Sequence, residues 1–221
     1  MTFGLTYPQL KALSPCEKEF KAVSKALGGA RKWKGNLVTA DMARDAGVSF
    51  DNILWVASRV AETDKEVARR VRHFAADCAA HVLRLFEDEY PKDDRPRKAI
   101  QAARDYAEGK IDDAARVTAR SAAGAAGAAR DAAWGARAAR DAAWDARAAR
   151  DAAWGAAGDG AWGAAWGAAC GGRAAARDGA GIAWAAARDG EQAWQFDRLI
   201  AWLSDDEPEP FPMPEKMENA Q

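Results

Sequence analysis

Arg130-Asp-Ala-Ala-Trp134, Arg140-Asp-Ala-Ala-Trp144 and Arg150-Asp-Ala-Ala-Trp154 repeat on a strict ten-residue period. Such repetition marks the duplication of one local unit rather than a unique core. Ala is the strongest helix former, so the unit reads as helix. Arg and Trp four residues apart share one side of that helix, where a guanidinium can lie over an indole face. The bulk of the repeat comes from Trp set among Ala and Gly, not from large aliphatic side chains. The fold class that follows is all-α: a helical bundle with a small N-terminal helical region and Ala/Gly/Trp-rich C-terminal helices.

Working outward, everything from Asp112 to Leu203 is compatible with helix. The glycine clusters Gly158-Asp159-Gly160, Gly171-Gly172 and Gly179-Ala180-Gly181 are the expected turns, since each Gly costs about 1 kcal/mol inside a helix. Upstream, Thr63-Asp-Lys-Glu66 has the form of a capping box. Val67, Val71, Phe74, Cys78, Val82 and Leu85 then recur at steps of three and four, which predicts one amphipathic helix ending at Tyr90-Pro91. Asp93-Asp94-Arg95-Pro96 opens another helix that runs to about Glu108 and is closed by Gly109. Residues 1–62 read as short helices: Ser14-Pro15 as a start, Leu27-Gly28-Gly29 as a stop, and Thr39 and Ser49 as caps. The domain organisation is therefore an N-terminal helical region over 1–62 and an Ala/Trp-rich bundle over 63–204. A tail over 205–221, acidic and proline-rich, is expected to be extended or disordered.

Composition narrows the function classes. Thirty-two basic and 33 acidic residues leave a net charge of −1, which argues against a general DNA binder with a basic face. Cys16, Cys78 and Cys170 are widely spaced and match neither a zinc site nor a disulfide framework, so a reducing cytoplasm is expected. No secretory signal and no apolar run of about 20 residues is read, so membrane association is not expected. Residues 111–200 hold 37 alanines, which bury little area each. A patch of Trp and Ala is adhesive unless paired, and self-association into a homo-oligomer is expected.

Two constellations could carry chemistry. His73, Asp77 and His81 fall at i, i+4 and i+8 of one helix. Eight residues rotate the direction by roughly 80°, so His73 leaves the His81 face, and a structural hydrogen-bonded pair of Asp77 and His81 is favoured over a metal site. The second constellation is the repeat itself. Its Trp side chains can fill a core, line a pocket where a planar base stacks while Arg meets phosphate, or form a protein-binding surface rich in hot-spot residues. Ten-residue spacing turns successive Trp by about −80°, so all three cannot face one seam. Arg130, Trp134, Arg140, Trp144, Arg150 and Trp154 are the candidate ligand-binding residues. No phosphate-binding glycine loop, nucleophile elbow or paired-carboxylate motif stands out, so neither enzyme activity nor a cofactor is expected.

The stretches His73-Phe-Ala-Ala-Asp-Cys-Ala-Ala-His-Val-Leu-Arg-Leu-Phe-Glu87 and Asp94-Arg-Pro-Arg-Lys-Ala-Ile-Gln-Ala-Ala-Arg-Asp-Tyr-Ala-Glu-Gly109 resemble the bacterial and phage "putative immunity protein" family. Ala-Ala-Trp repeats and a closing Gln192-Ala-Trp-Gln195 segment extend the resemblance over about 70–203. It implies neutralisation of a toxin or defence activity by binding, and it assigns no catalytic residue. Together these readings lead to a non-catalytic, cytoplasmic binding protein of bacterium–phage conflict. Its expected ligand is a nucleotide-like signalling molecule that it sequesters, and the alternative is a protein toxin or defence effector that it blocks.

Overall fold

The computed structural model describes residues 3–33, 35–119, 121 and 181–215. Two compact units emerge: Met1–Val71 with Phe196–Pro208, and Arg72–Gln195 with Glu209–Gln221. The described residues are mostly helical, as the composition dictates, and none of their helices is long and apolar enough to cross a membrane.

In the first unit, β1 (Gly4–Leu5) pairs antiparallel with β2 (Val38–Thr39), Gly4 opposite Thr39 and Leu5 opposite Val38. This short ribbon is compatible with the expected all-α class, which the mostly helical described residues bear out. Two-residue strands are too short to show a period-2 pattern, so hydropathy could not reveal them. Gly4 permits the close approach: a Cβ there would lie 2.9 Å from both Leu37 Cγ and the Val38 carbonyl oxygen. Between and beyond the strands run α1 (Tyr7–Ala12), α2 (Glu17–Ala26), α3 (Ala30–Trp33), α4 (Ala40–Asp45) and α5 (Phe50–Val60). Trp33 is buried; its indole Nε1 donates to the Leu5 carbonyl at 3.1 Å and its ring meets Tyr7 edge-on.

The helix starts follow their side chains. Thr39 Oγ1 accepts from Met42 N at 3.2 Å, and Ser49 Oγ from Asn52 N at 3.3 Å, as expected of N-caps. Ser14 does not cap α2; it takes a left-handed φ of 55°, and the cap position falls to Cys16. At Thr63 the expected capping box is displaced by one residue. Thr63 Oγ1 donates back to the Val60 carbonyl, while Asp64 Oδ1 accepts from Glu66 N and Val67 N at 2.9 and 3.0 Å. The long helix predicted to reach Tyr90 is two helices, α6 (Lys65–His81) and α7 (Leu83–Glu89), separated at Val82 with φ −103° and ψ 3°. After Pro91, α8 (Arg95–Ala107) ends at Gly109, which has a φ of 67° and closes the helix as expected. Residues 113–119 are again helical, and a C-terminal helix spans Gly181–Leu203.

The first unit takes residues from both sides of positions 62 and 204. Val67, Ala68 and Val71, all buried, belong to the first unit, as do the buried Leu199, Ile200, Trp202 and Leu203. Apolar stripes near the start of α6 and at the end of the C-terminal helix thus serve a core that capping signals cannot locate. Arg70 is buried there too: it pairs with Glu66 and Glu207 at 2.9 Å each and donates to the Ser204 carbonyl at 2.8 Å. Two guanidiniums, those of Arg69 and then Arg70, hold the Glu66 carboxyl down to a pKa of about 2. The second unit buries Phe74, Cys78, Leu83, Phe86, Ile100 and Ala103.

Candidate functional site

Within the second unit, charged side chains from successive helices converge on one extended piece of chain. Asp77 on α6 is fully buried, and its Oδ1 accepts from Arg104 Nη2 of α8 at 3.0 Å and from the Phe211 backbone N–H at 2.8 Å. The same Arg104 Nη2 donates to the Phe211 carbonyl. Both backbone groups of a single residue are thus held by one ion pair, a closed triangle of charge-assisted hydrogen bonds. Two helical turns away, Arg97 makes a bidentate bridge to Glu87 of α7, at 2.7 and 2.6 Å, and gives Nη2 to the Pro214 carbonyl at 2.6 Å.

The spacing of these donors has a geometric basis. Residues 97 and 104 are seven apart on one helix, which puts them on the same side and about 10.5 Å apart. Carbonyls 211 and 214 are three apart, about 9.3 Å in polyproline II conformation. Pro208, Pro210, Pro212 and Pro214 alternate with Glu209, Phe211 and Met213, so every non-proline residue precedes a proline and is driven extended. The two spacings are similar enough for each guanidinium to reach one of the two carbonyls. The segment 207–215 contains neither helix nor strand, and in the second unit its fastening comes from these side chains.

An aromatic seat completes the arrangement. His81, one turn beyond Asp77, stacks on Trp194 of the C-terminal helix with ring centroids 3.8 Å apart and planes 17° from parallel. The Phe211 ring stands edge-on to both, at 5.1 Å from His81 and 5.3 Å from Trp194. Beneath them, buried Glu191 Oε2 lies 3.0 Å from His81 Nδ1, and Glu191 Oε1 accepts from Gln195 Nε2 at 2.9 Å. His73 is buried and meets Glu108 at 2.6 Å through Nε2.

Of the residues expected to form a structural pair, Asp77 meets Arg104 and the Phe211 amide, and His81 meets Glu191 and Trp194. The candidate ligand residues Arg130, Trp134, Arg140, Trp144, Arg150 and Trp154 lie outside the described residues, as do the glycine breaks from Gly158 to Gly172. Sequence reasoning assigned no role to Glu87, Arg104, Glu191, Trp194 or Phe211, although the first two and Trp194 lie in the stretches that carry the resemblance. A signal was available in the proline alternation of the tail, read there only as an extended or disordered segment.

The residues that form this site can be set against known proteins. Residues 60–201 match the family model described as "Imm-5 like putative immunity protein". Asp77, His81, Glu87, Arg97, Arg104, Glu191 and Trp194 all lie inside the matched range, whereas Phe211 and Pro214 lie beyond it. Searches of curated proteins and of solved structures find no match.

Proposed function

The chain belongs to the Imm-5 like immunity protein family, and on that premise we propose that it is a non-catalytic binder that neutralises a protein toxin or defence effector by occupying it. The observation that carries the reading is the site in the second unit. Its charged groups are spent on carboxylate–guanidinium pairs and on backbone amide and carbonyl groups, which suits recognition of polypeptide. The stacked His81–Trp194 pair beside Arg104 supplies the aromatic and arginine anchors typical of protein-binding hot spots. Sequestration of a nucleotide-like molecule is the second reading, and the periodic Arg130–Trp134, Arg140–Trp144 and Arg150–Trp154 pairs favour it, since indole stacking and guanidinium–phosphate contact are what such a ligand needs. The proposal places the protein in the cytoplasm of a bacterial host, acting as a homo-oligomer.

Co-expression with a panel of bacterial protein toxins tests the first reading. Growth should be restored against one of them, and the pair should co-elute as a stable complex. Failure against every toxin, together with a nucleotide released on denaturing the purified protein, would transfer the function to the second reading.

A further inference from the structure

We infer that the Asp77–Arg104–Trp194 site is a groove for an extended, proline-flanked aromatic peptide, and that the chain's own Glu209–Pro214 segment is its resident, displaceable occupant. The inference rests on the protein-binding reading above and names the feature of the partner that the site takes: a Phe between prolines, presented in polyproline II conformation. The walls of the groove are residues of the family-matched range, and the occupant is a segment outside it. Recognition is of the kind a trans peptide would use. One ion pair reads the N–H and C=O of Phe211, a second Arg reads a carbonyl three residues on, and an aromatic pair takes the ring.

Two features mark the occupant as replaceable. Its prolines leave the backbone with little ordering cost, so an equivalent segment from a partner would pay no more. The buried Nε of Arg104 also finds no hydrogen-bond partner among the described residues, so the resident segment does not use every donor that the groove presents. What favours the resident is its covalent tether. A short linker raises its effective concentration to the order of millimolar, and a partner must exceed that. The tail is then a competitor that sets the threshold for engagement.

The test is an anisotropy titration with a labelled peptide of the tail sequence, Glu-Pro-Glu-Pro-Phe-Pro-Met-Pro-Glu, against the full-length protein. Wild type should bind it at least tenfold more weakly than Phe211→Ala, which takes the resident ring from the aromatic seat and leaves the groove walls intact. Adding Trp194→Ala to Phe211→Ala should abolish binding, and a peptide with Ala in place of Phe should not bind. A second route avoids any change to the site: a protease sequence inserted at the exposed Asp205-Asp206 allows the tail to be cut from the folded protein, after which the peptide should bind. If neither the Phe211→Ala protein nor the cut protein binds peptide at millimolar concentration, the groove is a structural clasp and the inference falls. If the peptide fails to bind while a toxin is still neutralised, the groove alone is lost. If the peptide binds but no toxin is neutralised, the functional reading alone is lost.

Discussion

At Asp77 a carboxylate with no exposed surface is balanced by a guanidinium that is itself nearly buried. Removing one partner from such a pair leaves an uncompensated charge, so Arg104→Ala should destabilise the protein by about 3 kcal/mol in urea denaturation. Arg104→Lys should recover only part of this, since an ammonium lacks the planar fork that serves Asp77 and Phe211 together. Glu66 sets a second residue-level expectation. Its carboxyl falls from an ordinary 4.5 to about 2 because Arg69 and Arg70 hydrogen-bond the charged form. A depressed carboxylate contributes its stabilisation fully above the unfolded value and loses it as pH falls through the folded one. Stability should therefore decline between about pH 4.5 and 2, and Glu66→Gln should flatten the acid limb of a melting-temperature profile in that window.

At the scale of elements, capping and termination decide where each helix lies. Ser49→Ala removes the acceptor for the Asn52 amide at the start of α5 and should cost about 1 kcal/mol, measurable as a fall in the denaturation midpoint. Gly109→Ala tests termination. The site has open space, but its φ of 67° is left-handed, so an added Cβ should cost about 1 kcal/mol through backbone conformation alone. The break at Val82 shows where local signals end. Val is compatible with helix, and the periodic stripe from Val67 continues through it to Leu85, so no residue type announces the interruption. The break instead accompanies the placement of α7, whose Glu87 meets Arg97 of α8. Pro91 and Gly109, by contrast, mark their boundaries by covalent geometry, and those were readable in advance.

For the whole molecule, the Ala-rich composition predicts a protein that is overwhelmingly helical and self-associating. Light scattering should give a mass above that of one chain at micromolar concentration, and a monomer there would remove the case for paired Trp/Ala faces. The all-α class and several helix ends were legible in the residues alone, because propensity, capping and proline geometry act over a few neighbours, and the family was legible as a resemblance of particular stretches. Asp77 and Arg97 lie in the stretches that carry the resemblance, which does not say what they hold. Which charges meet was not legible. Asp77 finds Arg104 and Phe211 across 27 and 134 residues, distances over which spacing carries no information. The alternating prolines determined by themselves that the tail would be extended. Only the tertiary structure decided what receives it, since a fixed φ sets the shape of a segment, whereas its place depends on where buried charges and aromatic faces from distant helices converge.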